Sequence, residues 1–366
     1  MSSFHALTRV TIEPGCRARA AAAVTELGGH RVLVVTDAFL SRTPAFQHLV
    51  QILREASIDV DLFASVESNP RTTTAERLGE RARTCQVVLG FGGGSVLDAA
   101  KAAAMLATND GRALDYVGRN RFTRPPLPFV AIPTTCGTGS EVTWVSVLTD
   151  PDKRVKVSLK GEGMFPDIAL VDADLLVGMP PALVAATGFD ALTHALEATT
   201  GLPRNPVSDA LAEKAITLLL EFLPRAVSDI DHDGQAREAV MRAATLAGLA
   251  FGNSDVGGVH CLSETLGGLH DVPHGLANAM LLVPVMRSHG SSIAARLGEL
   301  DAEGPAHFLG ALEQRIADLG IPAFASLGIP RADYPEIAAG AVANGSNAAN
   351  PRPMAAADYL RILEAL

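Results

Sequence analysis

Hydrophobic residues recur with two different periods in the two halves of the chain. In the first half, short β-branched runs alternate with segments of helical period. The strand-like runs are residues 31–36, 58–63, 86–91, 129–133 and 168–171, and the helical segments are residues 39–56, 72–84 and 98–107. Residues 144–149 and 154–159 flank Asp150-Pro151-Asp152, which predicts a hairpin. The alternation predicts a parallel sheet with helices on both faces.

From Met179 onwards the helical period dominates and the β-branched runs disappear. The predicted helices cover residues 181–199, 206–227, 234–251, 257–269 and 275–289, and a short final helix follows Pro351-Arg352-Pro353. We therefore predict two domains, an α/β domain over residues 1–178 and an all-α domain over residues 179–366. A chain of 366 residues is too long for one ordinary core, which agrees with this division.

The composition narrows the class of protein. Hydrophobic residues make up 48% of the chain and charged residues 19%, which is typical of a globular protein. The net charge of −10 disfavours a nucleic-acid partner, which needs clustered Lys and Arg, and gives no indication of a membrane partner. The four cysteines form no CxxC pair, and residues 1–14 contain no apolar signal-peptide core. We expect reduced thiols and a cytoplasmic location.

A glycine loop, Gly92-Gly93-Gly94-Ser95, follows a predicted strand and leads into a predicted helix. Glycines let a backbone approach a ligand closely, and a helix N-terminus offers N–H groups to a phosphate. The alternative is a tight strand-to-helix turn without a ligand. Asp37 follows another strand, where a carboxylate can bind a ribose 2′-hydroxyl and repel a 2′-phosphate, or can cap the next helix. Together the two features favour a dinucleotide-binding site.

A second loop, residues 133–141, follows a predicted buried strand and has the sequence PTTCGTGSE. Its four hydroxyls and two glycines could form a polar turn in which Ser140 caps a helix. They could also form a wall of donors around a phosphate or sugar, at the carboxyl edge of the sheet where α/β proteins bind ligands. The number of hydroxyls favours the second interpretation.

Four residues of the helical half have the side chains of a metal site. Asp190 and His194 lie four residues apart in an apolar helix and so share one face, and His260 and His274 follow later. Three imidazoles and one carboxylate suit a borderline divalent cation such as Fe²⁺ or Zn²⁺. Each histidine alone could also be an ordinary core or surface residue, so spacing alone leaves both interpretations open.

Several longer motifs occur in a specific order between residues 36 and 284. They are Gly92–Ser95 with Asp98 and Lys101, IPTTCGTGSEV (132–142), Met179-Pro180, ATGFDALTHALE (186–197), LAGLAFGN (246–253), Val259-His260, and Leu266-Gly267-Gly268 through Pro273-His274-Gly275. In this order they resemble the iron-containing (group III) alcohol dehydrogenases. The resemblance implies an N-terminal Rossmann-like α/β domain and an all-α C-terminal domain, the fold shared with dehydroquinate synthase-like proteins.

The resemblance also implies the site residues. It implies that Asp190, His194, His260 and His274 bind one divalent metal, with Fe²⁺ in first place and Zn²⁺ as the alternative. The implied cofactor contacts are Gly93, Gly94, Ser95 and Asp98 in the pyrophosphate loop, Thr134, Thr135 and Thr138 nearby, and Asp37, Asn69 and Lys156 at the adenosine and ribose. A carboxylate at Asp37 then indicates NAD rather than NADP.

One position departs from the pattern of the family. Its members usually carry a histidine four residues after the ligand at His260, associated with proton transfer or substrate orientation, and this chain has Glu264 there. His270, close to the same site in sequence, could serve instead. We predict that Glu264 and His270 are the catalytic residues that move the proton. The alternative is that Glu264 only anchors a hydrogen bond to His260.

These features predict a metal-dependent oxidoreductase that passes hydride between NAD(H) and a small alcohol or aldehyde. Because Glu264 replaces the histidine, we expect a polar or acidic substrate and mainly aldehyde reduction. The alternatives are a maleylacetate reductase-like oxo-acid reductase, a dehydroquinate synthase-like lyase and a non-catalytic NAD-binding protein. We expect a homodimer.

Overall fold

The computed structural model describes residues 3–366, and over this range the chain forms nine strands and 13 α-helices linked by short 3₁₀ turns. The strands are β1 (Arg9–Ile12), β2 (Arg31–Val35), β3 (Asp59–Phe63), β4 (Val87–Gly92), β5 (Gly118–Arg119), β6 (Phe129–Pro133), β7 (Val145–Asp150), β8 (Val155–Lys160) and β9 (Ile168–Val171). The helices are α1 (Ala20–Glu26), α2 (Pro44–Glu55), α3 (Thr72–Ala82), α4 (Gly94–Thr108), α5 (Pro181–Thr200), α6 (Pro206–Asp229), α7 (Gly234–Phe251), α8 (Gly258–His270), α9 (His274–His289), α10 (Ala294–Leu300), α11 (Pro305–Asp318), α12 (Tyr334–Ala343) and α13 (Ala356–Glu364).

A six-stranded sheet organises the first part of the chain, in the order β1-β9-β6-β4-β2-β3, with every neighbouring pair parallel. Strands β4, β6 and β9 are buried at every position, as expected for a parallel sheet covered on both faces. One apolar core packs α1 and α2 against the sheet, and another packs α3 and α4 against it. The predicted parallel sheet with helices on both faces is confirmed.

A smaller sheet, in the order β5-β8-β7, contains the predicted hairpin, in which β7 and β8 are antiparallel. It packs with α3 and α4 around a third apolar core. Strand β7 of this sheet packs against α3 and α4, and Lys156 of β8 contacts Asn69, which lies just before α3.

The second part of the chain is helical, and α5 lies at its centre, against α6, α7 and α9. Residues 188–200 of α5 are all buried. A Cβ on Gly188 would lie 2.2 Å from Leu223 Cδ1, so this glycine allows α5 and α6 to pack closely. None of the helices within residues 3–366 combines the length and the apolarity needed to cross a membrane.

The chain divides into two compact units, residues 6–178 and residues 3–5 together with residues 179–366. His5 therefore belongs to the second unit, although the predicted first domain included it. Its N–H donates to Asn253 Oδ1 over 2.6 Å, and Asn253 Nδ2 donates back to the His5 carbonyl over 3.0 Å. This long-range pair has no signal in the local pattern around His5.

Element boundaries differ from the predicted ones where capping chemistry intervenes. Helix α2 begins at Pro44 rather than Phe39, because Thr43 caps it by accepting from the Phe46 N–H. Helix α4 begins at Gly94 rather than Asp98, so the glycine loop is partly the first turn of the helix. Strand β1 and the helices α10, α11 and α12 were not predicted.

Candidate functional site

The strand order places the predicted cofactor residues of the first unit at one point of its sheet. From β2 the chain moves outward to β3 and then returns to β4 on the other side of β2, so the order reverses between β2 and β4. Ligands of open parallel sheets bind outside the carboxyl ends of the strands at such a reversal. Asp37 follows β2 and Gly93 follows β4, and the Thr36 hydroxyl joins these two strand ends by donating to the Phe91 carbonyl over 2.8 Å.

Asp37 is half-buried and caps the turn that follows it. Its Oδ1 accepts from the N–H groups of Phe39 and Leu40, both over 2.8 Å. The capping interpretation is therefore correct for Oδ1. Because the other carboxylate oxygen takes no part in these two bonds, the same side chain can also accept a hydrogen bond from a ribose hydroxyl.

The glycine loop lies against the threonine loop that follows β6. Helix α4 has Gly93 as its N-cap and has no side-chain cap. The Val96 N–H donates to the Gly93 carbonyl over 3.0 Å, so the N–H groups of Gly94 and Ser95 are the ones left for another acceptor. A Cβ on Gly94 would lie 2.5 Å from Thr138 Cγ2, and one on Gly93 would lie 3.1 Å from Thr135 Cγ2. Glycine at these two positions lets N–H groups and threonine hydroxyls come together.

The remaining predicted cofactor residues are Ser95, Thr134, Asn69 and Lys156. Ser95 is half-buried in the first turn of α4, and Thr134 is buried at the end of β6, with its N–H donating to Gly92 over 3.1 Å. Lys156 Nζ donates to Asn69 Oδ1 over 2.6 Å, so these two are brought together. Asn69 is buried and has a φ of 53°.

Asp98 has a different environment from the one predicted. Its Oδ1 accepts from the Ser140 hydroxyl over 2.6 Å, and its Oδ2 accepts from the Val147 N–H over 3.0 Å, so both oxygens have protein donors. Burial lowers the pKa of the nearby Lys101 to about 8, against the opposing effect of Asp98. Burial likewise raises the pKa of the Asp98 carboxyl, against the opposing effect of Lys101.

In the second unit, three helices bring the four predicted metal ligands together. Asp190 and His194 come from α5, His260 comes from α8, and His274 is the first residue of α9. One ligand atom from each lies within 4.8 Å of all the others. The side chain of His274 is 30% exposed and those of the other three are at most 5% exposed, so the group opens on the side of His274.

The separations within this group fit a single cation. Asp190 Oδ1 lies 3.8 Å from His194 Nδ1, 4.0 Å from His260 Nε2 and 3.6 Å from His274 Nε2. Four ligands bound to one ion at ~2.0–2.2 Å lie roughly 3.5 Å from one another. Three nitrogens and one oxygen suit a borderline divalent metal, and this donor set does not separate Fe²⁺ from Zn²⁺.

Glu197 supports the group and was not assigned from the sequence. Its Oε2 lies 2.5 Å from His260 Nδ1, and its Oε1 accepts from the Val259 N–H over 2.7 Å. The bond places the proton of His260 on Nδ1 and leaves Nε2 with a lone pair for a metal. A signal was available, because Asp190, His194 and Glu197 have the spacing of a single helix face.

Asn278 is a second residue, missed by the sequence-based prediction, whose side chain contacts the four-residue group. It is fully buried in α9, and its Nδ2 donates to Asp190 Oδ1 over 2.6 Å. The same Nδ2 lies 3.1 Å from His260 Nε2 and 3.2 Å from His274 Nε2. Asn278 follows His274 by four residues and therefore lies on the same face of α9.

Gly275 allows the start of α9 to lie against α5. A Cβ at this position would lie 2.8 Å from the Ala186 carbonyl oxygen and 3.4 Å from Asp190 Cβ. The backbone carbonyl cannot move as a flexible side chain would. Because Gly275 has no side chain, the neighbouring His274 can lie close to Asp190.

The two predicted proton-transfer residues have separate partners. Glu264 lies one turn after His260 in α8, and its Oε2 accepts from Asn344 Nδ2 over 2.6 Å. His270, at the end of α8, has its Nε2 3.5 Å from Asp333 Oδ2. The hydrogen bond that anchors His260 is made by Glu197 and not by Glu264.

Comparison with known proteins identifies the family. The model of the iron-containing alcohol dehydrogenase family matches residues 8–173, and that of the C-terminal region of the Fe-containing alcohol dehydrogenase family matches residues 184–366. The chain is 34% identical to the NAD-dependent methanol dehydrogenase of Bacillus methanolicus, over 100% of this chain and 99% of the relative. It is 40% identical to the 1,3-propanediol dehydrogenase of Klebsiella pneumoniae, over 89% and 88% of the two chains.

A solved structure of a 1,3-propanediol oxidoreductase has the same fold, with a TM-score of 0.93 and 36% identity over 100% of this chain and 99% of the other. The two family models together cover nearly the whole chain. The chain therefore belongs to the iron-containing alcohol dehydrogenase family and is an alcohol dehydrogenase of the iron type.

Proposed function

We propose that this protein reduces small polar aldehydes with NADH, and oxidises the corresponding alcohols in reverse, at one divalent metal. The observation that carries the proposal is the convergence of Asp190, His194, His260 and His274 in a chain of this family. We assign these four residues as the ligands, with Fe²⁺ in first place and Zn²⁺ as the alternative. The Bacillus methanolicus relative is named as NAD-dependent, and the Asp37 carboxylate supports the same preference here.

The residues of the first unit would hold the cofactor. When bound, the metal would polarise the substrate carbonyl as a Lewis acid, and NADH would supply the hydride. The uncapped N–H groups of Gly94 and Ser95 suit a pyrophosphate, and the adjacent threonine hydroxyls add further donors. We assign Gly93, Thr134, Thr135 and Thr138 to the same pyrophosphate site, and Asp37, Asn69 and Lys156 to the adenosine and its ribose.

The reduction also requires one proton for the new hydroxyl group, and we assign its delivery to Glu264 and His270. Both side chains can carry a proton, and the Glu264 carboxylate is held by Asn344 through Oε2, which leaves Oε1 outside this hydrogen bond. The pH profile of turnover in Glu264→Gln and His270→Asn tests this assignment. A general acid–base role contributes ~10²–10⁴-fold in rate. Wild-type turnover and an unchanged profile in both variants, with metal bound, would exclude both residues.

The proposed function is tested by stripping the protein with a chelator, reloading it with Fe²⁺ or Zn²⁺, and following NADH absorbance with a panel of substrates. The panel contains hydroxyaldehydes, acidic aldehydes, a maleylacetate-like oxo acid and long-chain alcohols. We expect metal-dependent NADH oxidation with the small polar aldehydes. Activity confined to long aliphatic alcohols would contradict the substrate class, and product formation without net change in NADH would indicate a lyase.

We also propose that the enzyme is a homodimer. In the part of the chain that the structure describes, β1 has a neighbouring strand on one side only, so its other edge offers unpaired backbone groups. Leu7, which precedes β1, is 60% exposed, and Ile12, the last residue of β1, is 40% exposed. Light scattering after size exclusion is expected to give the mass of two chains for the wild type and of one chain for Ile12→Lys. A monomeric wild type would overturn the proposal.

We propose a cytoplasmic location because the four cysteines are free thiols. Cys16, Cys85, Cys136 and Cys261 are all buried and none forms a disulfide. Proteins of oxidising compartments more often carry disulfides. Fractionation of the source cells is expected to recover the enzyme with cytoplasmic markers, and recovery from an extracytoplasmic fraction would contradict this.

A further inference from the structure

The buried Lys101 and Ser140 and the half-buried Asp98 of the first unit form a hydrogen-bonded cluster next to the threonine loop. Lys101 is 1% exposed, and its Nζ donates to the carbonyl of Ser140 over 3.0 Å and to the hydroxyl of Ser140 over 3.1 Å. The Ser140 hydroxyl in turn donates to Asp98 Oδ1 over 2.6 Å. Ser140 is thus held by a cation and an anion that both project from α4.

The same two charged side chains hold the backbone and side chains that follow Ser140. Lys101 Nζ also donates to the Val145 carbonyl over 2.7 Å and to Thr143 Oγ1 over 3.3 Å. Asp98 Oδ2 accepts from the Val147 N–H over 3.0 Å. Because Asp98 and Lys101 are three residues apart in one helix, α4 holds the whole segment from Ser140 to the start of β7.

This cluster is connected to the loops assigned to the cofactor. The Ser140 N–H donates to Thr138 Oγ1 over 3.3 Å, and Thr138 lies against Gly94, the first residue of α4. One helix therefore carries both the N–H groups that suit a phosphate and the charges that fix the threonine loop. Helix α4 therefore contributes to the distance between these two sets of donors, together with the pairing of β4 and β6.

The cost of burying charge indicates that the cluster does more than fill the core. Removing an ammonium and a carboxylate from water is costly, and apolar residues of similar volume often give equal or greater stability. Charge-assisted hydrogen bonds are shorter and more directional than apolar contacts. Lys101 and Asp98 therefore fix positions that an apolar pair would leave variable.

We propose that Asp98 and Lys101 are positioning residues for the dinucleotide, and that they raise its affinity without touching it. They hold the threonine loop at the distance from the first turn of α4 at which both can donate to one diphosphate. The inference rests on the proposed use of NAD(H), and it replaces the predicted direct contact between Asp98 and the cofactor.

The test uses the metal-loaded, full-length enzyme and the variants Lys101→Met and Asp98→Asn/Lys101→Met, with the exposed Lys214→Met as the control. The dissociation constant of NADH is measured by fluorescence titration. We expect it to rise at least about tenfold in both cluster variants, because hydrogen bonds to charged groups are lost. Metal content, the KM of the aldehyde and the inhibition constant of adenosine, which has no phosphate, are expected to stay at the control values.

The double variant distinguishes a role of the two residues in positioning the loop from a contribution of the two residues to stability. Lys101→Met alone leaves the half-buried Asp98 carboxylate without its cation and is expected to lower the melting temperature. Removing both charges is expected to restore much of that temperature while NADH binding stays weak. Binding as tight as in the wild type in both variants, or failure of both to fold, would overturn the positioning role. A wild type that does not bind NADH would overturn the proposed function and this inference with it.

Discussion

Glu197 bridges two consecutive positions of α8, with one carboxylate oxygen 2.5 Å from His260 Nδ1 and the other 2.7 Å from the Val259 backbone nitrogen. The two contacts fix both the tautomer of His260 and the plane of its ring. The carboxylate is 2% exposed, so water does not compete for either oxygen. Glu197 therefore decides which nitrogen of His260 faces the other ligands.

Glu197→Gln is expected to weaken metal binding by ~10–100-fold, as loss of a hydrogen bond to a ligating histidine typically does. Glutamine has one carbonyl oxygen and must direct its NH₂ group at one of the two donors that Glu197 satisfies. Competition with a chelator measures the dissociation constant of the metal. The exposed Glu364→Gln is the control, and equal affinities in the two variants would contradict the role of Glu197.

Gly275→Ala is expected to reduce metal content and to destabilise the protein by ~1–3 kcal/mol, the usual cost of overpacking. Its Cβ would lie 2.8 Å from the Ala186 carbonyl oxygen and would push His274 away from Asp190. Gly298→Ala in α10 is a matched control, because its Cβ would have nothing within 4 Å. Elemental analysis and thermal unfolding measure both effects. Full metal content in Gly275→Ala would show that α9 can shift without loss of the site.

Asp37→Ser is expected to narrow the preference for NAD over NADP without loss of stability. Serine can still cap the turn at Phe39 and Leu40, whereas it lacks the charge that would repel a 2′-phosphate. The ratio of kcat/KM values for the two cofactors measures the preference. Asp37→Ala, which loses the cap as well, shows how much of any change comes from the turn. A wild type that already prefers NADP would refute the assignment of Asp37.

His289 is expected to make the protein less stable in mild acid. Burial, opposed by the charge of Glu197, lowers the pKa of His289 to about 4. In the unfolded chain a histidine binds its proton near pH 6.5, so between pH 6.5 and 4 the unfolded state holds more protons than the folded state. Stability is therefore full above pH 6.5 and falls as the pH drops towards 4, by roughly 3 kcal/mol in total.

Urea unfolding at pH 7 and pH 5 measures this effect in the wild type and in His289→Leu. Other groups titrate in the same range, so the difference between the two proteins is the informative quantity. We expect a smaller loss of stability in His289→Leu, while the exposed His48→Asn behaves as the wild type does. Equal pH dependence in all three proteins would exclude His289 as the cause.

The sequence pattern predicts an element well when the element is long and its period is regular. Helix α5 was predicted to within a residue, because Pro181 starts it and its apolar period continues to Thr200. Strand β1 was missed, because its four residues become a strand only through β9, which lies far along the chain. Helices α10 and α12 are short, with seven and ten residues, whereas α11 has 14 residues and was missed although it is not short.

In the site, too, the contacts within one helix were predictable from the sequence and the contacts between helices were not. The pair Asp190 and His194 follows from helix geometry, whereas the distances from Asp190 to His260 and His274 depend on how three helices pack. Asp98 was predicted as the first residue of its helix, and the structure places it one turn inside α4. The sequence signal for Asn278 was limited to its position four residues after His274.

The pairing of β1 with β9 has a consequence for the order of events during synthesis. Arg9 to Ile12 leave the ribosome before the other five strands of their sheet, and their partners from Ile168 to Val171 follow about 160 residues later. At ~5–20 residues per second the interval is on the order of ten to thirty seconds. The first strand of this sheet to be made is therefore the last to find its partner, β9. For most of that interval the strands at the other edge of the sheet, β2 and β3, have already been made.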